Sequence, residues 1–338
     1  MDNMPNPLAP LGRLKVLKAG VLSLIQDQGR VGFQYIGVGT SGVVDPWCAG
    51  WANRLVGNAQ SVALLELTHG GLHAEVTAPT VMALTGSAIP FHINGQPARL
   101  WQSYPLLPGD RLQIGQQSQQ SEHSLLQPGL RHYLAIRGGF QIAPVLGSVS
   151  ANLREGTGGL DRQGGALKTG GQLPYFTSLA QTRLMLPTRK WHWWESDVEL
   201  LSEQHLRVIP CAQYHAFPKA MRQQLLSGQY TIAQQSNRMG YRLEGGDFKH
   251  SLPGMLSEAT GLGAIQMPNG GTPIVLLNDR QTLGGYPKLG AVTEIDCWRL
   301  GQMRPGQTLR FQLTSIVRAQ RAKSALLERI ATLRLHSY

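Results

Sequence analysis

Short apolar runs separated by glycine- or proline-containing turns recur along the chain, and few are long enough to form a helix. Leu14–Leu24 alternates as a strand interrupted at Gly20. A glycine-framed loop follows, Gly29-Arg30-Val31-Gly32-Phe33 and then Gly37, Gly39 and Gly42, up to Asp45. Pro46 stands where a helix begins, with Asp45 as its N-cap. Trp47–Val56 has the apolar spacing of a short helix, which Gly57-Asn58 ends. Ala63–Leu67, with Glu66 inside it, and Val81–Thr85 read as strands. Asn94-Gly95, between Phe91-His92-Ile93 and Leu100-Trp101, predicts a hairpin. Leu107–Ile114 is a turn followed by an alternating strand, Gln116–Gln127 is a polar surface loop, and Arg131–Arg137 is another strand.

Gly138–Gly171 is rich in glycine and lacks periodicity. It reads either as a functional loop or as an irregular connection across a barrel end. Trp191–Glu203 looks like the approach to a second domain. Beyond it, Leu206–Ile209, Tyr230–Ala233, Ala264–Met267 and Ile274–Leu277 read as strands, Phe217–Leu226 as a helix, and Ile295–Leu300 and Thr308–Leu313 as strands that close the sheet. Ser315–Leu335 is a basic amphipathic helix, suited to packing against the fold or to a membrane surface.

The two halves repeat features in the same order. Arg30-Val31-Gly32-Phe33 corresponds to Arg238-Met239-Gly240-Tyr241, and His69-Gly70-Gly71 to Asn269-Gly270-Gly271. Val81–Leu84 corresponds to Ile274–Leu277, and Pro108-Gly109-Asp110 to Pro305-Gly306-Gln307. The shared order predicts a mainly β protein of two similar domains from an internal duplication. Each is expected to be a barrel, because closure removes exposed strand edges. The predicted division is a loose tail over 1–13, a first domain over 14–190 with the glycine-rich connection, a second over 204–315, and a C-terminal helix over 316–338. A site is expected between the barrels, where both Arg-x-Gly-aromatic loops could meet.

Composition refines this picture. With 40 glycines and 20 prolines, tight turns outweigh long helices, and 42% apolar residues suffice for a sizeable core. The net charge of +11 suits an anionic substrate or an acidic partner; lysine and arginine are scattered and not interleaved with aromatics, so nucleic acid is not expected. Three widely spaced cysteines fit a reducing cytoplasm and match no zinc pattern. No apolar run is long enough to span a bilayer, and the start of the chain has no apolar signal core.

The chemistry concentrates after Ile274–Leu277, where Asn278, Asp279, Arg280, Gln281 and Thr282 are followed by Gly284, Gly285, Tyr286, Pro287 and Lys288. One loop thus carries an acid, a guanidinium, an amide and a hydroxyl. The glycines let the backbone take φ > 0 or come close to a ligand. Asn237, Arg238 and Tyr241 lie upstream. Arginine and lysine here suit a carboxylate or phosphate. Asp279 is a general base or, beside Arg280, a structural ion pair; Tyr241 is an acid or a packed aromatic; Glu66 is a buried paired carboxylate or a site group. There is no phosphate-binding G-x-x-x-x-G-K-[ST] loop, no G-x-S-x-G elbow, no H-E-x-x-H pair and no Met-Lys-Met biotin-attachment signature.

Several motifs together resemble the biotin-dependent carboxyltransferase family. They are Gln26–Phe33, Gly42–Asp45, Asn53–Asn58, Leu65–Leu67, Ala83–Gly86, Ser236–Leu243 and Asp279–Lys288. The family includes the C component of bacterial ATP-dependent 5-oxoprolinases, the allophanate hydrolase subunit 2 proteins and the carboxyltransferase half of urea carboxylase. The resemblance covers roughly residues 14 to 315. It implies two cyclophilin-like β-barrels, a direct partner in a homologue of the 5-oxoprolinase B component, and in 5-oxoprolinases the A component as well. The activity implied is ATP-driven opening of 5-oxo-L-proline to L-glutamate, with ATP as co-substrate of the complex. Asp279, Lys288 and Arg280 would then be catalytic. Arg238, Asn237, Tyr241, Gln281, Thr282, Gly284, Gly285, Tyr286, Arg30 and Asp45 would bind a small anionic substrate. Two other activities occur in the family: carboxyl transfer to urea or a related amide from biotin on another chain, and sequestration of a kinase inhibitor. Gln28 stands where the family usually has Leu, and Asn237 where Asp is common, which removes one carboxylate from the second-half loop.

Overall fold

The computed structural model describes residues 11–115, 129–178, 184–185, 205–246, 248, 255–332 and 336–337. The expected surface loop at 116–127 and the domain approach at 191–203 lie outside the described residues. The chain divides into two compact units. One comprises Met1–Arg30, Ser41–Trp191 and Arg334–Tyr338, the other Val31–Thr40 and His192–Leu333.

In the first unit, β1 (Leu11–Ala19), β2 (Leu22–Gln26), β3 (Leu64–Thr68), β4 (Leu72–Val76), β5 (Thr80–Gly86) and β6 (Phe91–Ile93) precede β7 (Gln96–Pro97), β8 (Ser103–Leu106), β9 (Arg111–Ile114), β10 (Arg131–Ile136), β11 (Gln172–Phe176) and β12 (Leu184–Met185). They build a six-stranded sheet in the order β11-β1-β4-β9-β6-β7 and a five-stranded sheet in the order β2-β3-β10-β5-β8. β1 alternates exposed and buried residues, so Leu14 and Val16 face inward. There they join Leu72, Val76 and Ile114 of their own sheet and Leu65, Leu84 and Leu134 of the other in one core. β10 is buried along its whole length, and helix α1 (Pro46–Leu55) packs against it and β5. The expected cap is present: Asp45 Oδ1 accepts from Cys48 N at 3.1 Å, and Pro46 opens the helix.

The expected turn at Asn94-Gly95 forms with both residues at positive φ, 53° and 77°, as a two-residue hairpin between strands of right-handed twist requires. Its second strand is Gln96–Pro97 and not Leu100-Trp101, because a two-residue loop pairs the residues that immediately follow it. β1 begins at Leu11, inside the expected tail, because Leu11–Lys15 pairs with β11.

In the second unit, β13 (His205–Pro210), α2 (Lys219–Ser227), β14 (Tyr230–Ile232), β15 (Gly240–Glu244), β16 (Glu258–Ala259), β17 (Ala264–Gln266) and β18 (Ile274–Leu276) are followed by β19 (Leu283–Gly284), β20 (Lys288–Val292), α3 (Glu294–Gln302), β21 (Thr308–Leu313) and α4 (Ile316–Thr332). Seven strands close a barrel in the order β13-β20-β17-β18-β15-β14-β21, with β13 and β21 parallel. Its core includes Leu206, Val208, Tyr241, Leu243, Ile265, Val275, Leu289 and Phe311. β16 and β19 form a separate two-residue ladder.

Ile295–Leu300, expected as a strand, is α3. A short run buried at almost every position carries no usable period, and Glu294 and Asp296 in its first turn complement a helix N-terminus. The C-terminal helix ends at Thr332, and His336–Ser337 instead forms β22, which pairs with β12. Among the described residues no helix is long and apolar enough to cross a membrane. Two of the corresponding turns share a left-handed glycine, Gly71 with Gly271 and Gly109 with Gly306, which is compatible with a duplication.

Candidate functional site

Where β18 ends, the chain turns back against the loop that precedes β15. Leu277 N donates to Met239 O and Asp279 N to Arg238 O, both at 2.9 Å. This backbone pairing brings together side chains that lie far apart in sequence. Asp279 Oδ2 accepts from Arg238 Nε at 2.8 Å, and Oδ1 from Nη2 at 3.0 Å. Asp279 is 4% exposed and Arg238 5%. The acid's partner is therefore Arg238 and not its neighbour Arg280, and the two-pronged, buried geometry fits a pair that fixes the loop. Arg280 is half-buried, and its Nη1 donates to Leu277 O at 3.2 Å. Burial lowers its guanidinium pKa from the ordinary value, opposed by Cys297 and Asp279. Asn237 Oδ1 accepts from Met239 N at 2.8 Å and shapes the approach to Arg238. Tyr241 is buried and donates to Met303 O at 3.1 Å, as a packed aromatic with a satisfied hydroxyl.

The loop then leads to Lys288 at the start of β20. Its ammonium contacts Glu258 Oε1 at 2.5 Å and donates to Ala259 O at 3.1 Å. Gln213 braces the arrangement. Its Nε2 donates to Glu258 Oε1 at 2.7 Å, and its Oε1 accepts from Lys288 N at 2.7 Å. The hydrogen bond from Lys288 holds the Glu258 carboxyl below the usual carboxylate range. Thr260 binds the loop from the other side, its N donating to Thr282 O at 2.9 Å and its hydroxyl to Gln281 O. Gln281 Nε2 donates to Gln266 Oε1 at 3.2 Å. Tyr286 is 48% exposed beside this shelf. Neither Gly284 nor Gly285 has a positive φ, so the first of the two uses expected for them is not realised; a Cβ on Gly284 would collide with Gln266 Nε2.

In the first unit the expected site residues have other partners. Arg30 is fully buried and donates to three backbone carbonyls: Val145 at 2.9 Å, Ser148 at 3.3 Å and Ser150 at 2.7 Å. It holds the glycine-rich connection, and a Cβ on Gly158 would collide with both Ser150 O and Arg30 Nη2. Asp27 fixes the same connection by accepting from the Ser148 and Ser150 hydroxyls at 2.6 Å each. Asp45 is the buried cap of α1. Glu66 is the buried, paired carboxylate of the two alternatives. It accepts from Val44 N at 2.8 Å and Tyr133 Oη at 3.1 Å, with Arg131 Nε at 3.5 Å.

The second unit thus assembles Asn237, Arg238, Asp279, Arg280, Gln281, Thr282, Gly284, Gly285, Tyr286 and Lys288 around one loop, whereas Arg30 and Asp45 serve the framework of the first. Sequence reading missed Gln213, Glu258, Thr260 and Gln266. The available signal was Gln266 itself, a polar residue at a core position of an apolar strand. Among the described residues no group of three or more His, Cys, Asp or Glu could hold a metal ion.

The family model described as carboxyltransferase domain, subdomain A and B, matches residues 36–313. The chain is 34% identical to the 5-oxoprolinase C component of Escherichia coli (strain K12), over 92% of this chain and 94% of that one. The crystal structure of the Kluyveromyces lactis urea carboxylase superimposes with a TM-score of 0.80 at 26% identity, covering 98% of this chain and 30% of that one. A crystal structure of TTHA0988 superimposes with a TM-score of 0.73 at 32% identity over 91% of this chain, which spans 57% of the solved chain.

Proposed function

Because the chain belongs to the carboxyltransferase domain family, we propose that it acts as the C component of an ATP-dependent 5-oxoprolinase, opening 5-oxo-L-proline to L-glutamate with ATP hydrolysis. The observation that supports this most is the 34% identity to the E. coli C component across nearly the full length of both chains. The chain works with partners, the B component directly and the A component in the full assembly. ATP is the co-substrate of that assembly and activates the lactam by placing phosphate on its amide oxygen, after which water opens the ring.

In this reading Lys288 and Arg280 meet the anionic groups, with Tyr286, Gln281 and Thr282 orienting the substrate. Arg238 and Asp279 keep the loop in shape, as their burial and mutual bonds favour. Glu258 holds the Lys288 ammonium until an anion replaces it. The test is ATP-dependent glutamate release from 5-oxoproline by the chain with and without its partner chains. Release is expected only from the assembly. Lys288→Ala and Arg280→Ala each remove a charged hydrogen bond of about 1.5–3 kcal/mol, roughly ten- to a hundredfold in rate. Full activity in both variants removes the site.

A second reading, carboxyl transfer from carboxybiotin on another chain to urea or a related amide, draws on the likeness to urea carboxylase. Biotin-dependent carboxylation by the same assembly, with no glutamate released, favours it over the first.

A further inference from the structure

Gln266 ends β17, between β18 and β20, and is 1% exposed. Its Oε1 accepts from Gln281 Nε2, while its Nε2 has no hydrogen-bond partner among the described residues. A buried amide donor left in this state costs about 1–3 kcal/mol, so its place in a barrel strand calls for a reason. Gly284 lies against this amide. The φ of Gly284 does not require glycine, so what its missing side chain allows is direct packing of the backbone on Gln266 Nε2, and the space before the amide opens only when the ladder parts. Lys288 is the cross-strand neighbour of Gln266, and its ammonium contacts Glu258 and Ala259 of the two-residue ladder that pairs with Leu283 and Gly284. An amide donor and a cation therefore flank the same short ladder.

We propose that Gln266 is a further substrate-binding residue, whose Nε2 donates to the carbonyl oxygen of a small amide or lactam beside Gly284 and to the phosphate which that oxygen then carries, while Lys288 neutralises the charge of the phosphate. Entry of the substrate parts the Glu258–Ala259/Leu283–Gly284 ladder and releases Lys288 from Glu258. The inference rests on the reading of the Lys288 loop as the amide site. A donor or cation aimed at charge that builds up in the transition state, as on a transferring phosphoryl group, commonly contributes about a hundred- to a thousandfold in rate.

The test uses the assembled complex and follows kcat and KM for glutamate release, together with the thermal midpoint of each variant. Gln266→Glu keeps an acceptor for Gln281 and loses the donor. Gln266→Met loses both. Gly284→Ala puts a Cβ against Gln266 Nε2 and displaces the amide. The expected result is a fall in kcat of at least about tenfold in all three, with midpoints near that of the wild type. If Gln266 only holds Gln281, the Glu variant behaves as wild type and the Met variant alone is impaired, which overturns the proposal. Should either Gln266 variant fail to fold, Gly284→Ala decides, and unchanged kcat overturns it. A wild-type complex that releases no glutamate defeats instead the reading on which the proposal rests.

Discussion

Asp279→Ala should act first on stability. The substitution leaves the Arg238 guanidinium 5% exposed and without the carboxylate that accepts both its Nε and Nη2 hydrogens. Removing one partner of a buried ion pair costs about 3–5 kcal/mol, because the remaining charge stays desolvated. For a unit of this size each kcal/mol lowers the melting temperature by about 2–4 °C, so a fall of roughly 6–20 °C is expected. Thermal unfolding followed by circular dichroism measures the fall, and urea unfolding followed by tryptophan fluorescence measures the free energy lost. The double variant Arg238→Met/Asp279→Leu should recover much of the loss, since apolar residues of similar volume can replace a buried pair at little cost. A double-mutant cycle then gives the coupling directly. A single variant that loses less than about 1 kcal/mol, yet releases no glutamate, refutes the structural assignment and makes Asp279 a chemical group.

Two further outcomes are expected. Asp296 is fully buried; desolvation raises its pKa, but the bonds and charges of Arg207 and Arg299 outweigh this and hold the carboxyl below the usual range. Its stabilising contribution is therefore present above the unfolded carboxylate pKa and is lost as pH falls through the lower folded value. Asp296→Asn should flatten the acid limb of a stability–pH curve, and an unchanged limb counts against the assignment. Burial pushes the Cys48 and Cys297 thiols up, whereas Cys211 is partly exposed. A thiol reagent should therefore modify Cys211 alone in the native protein and all three cysteines after denaturation; rapid native labelling of Cys48 or Cys297 would contradict the packing described.

The local chemistry of the chain was legible wherever cause and effect lie close in sequence. Asp45 before Pro46 announced a capped helix, Asn94-Gly95 a tight hairpin, and Thr308–Leu313 a strand with its observed ends. The loop at Asp279 was also visible, because unlike polar groups crowd into few positions. What stayed hidden depends on distance along the chain. Adjacency suggested Arg280 as the partner of Asp279, but backbone pairing between separate loops supplies Arg238. The bracing of Lys288 by Gln213 and Glu258 likewise arises only once β16, β19 and β20 are in place. Arg30 resembled an anion-binding group because a guanidinium carries no mark of its acceptor, which here is backbone. Ile295–Leu300 misled for a simpler reason: burial of nearly every residue, Asp296 included, erases the contrast from which a period is read.

The parallel pairing of β13 with β21 gives the second unit a beginning that waits for its end. As the polypeptide leaves the ribosome, its opening strand has no lateral neighbour on that side until nearly the whole unit has been synthesised. Any shorter nascent or clipped product presents two open rims, the kind of template on which unrelated chains accumulate. The unit is thus built to appear all at once, and its yield in a cell should hinge on whatever shelters that first strand during translation.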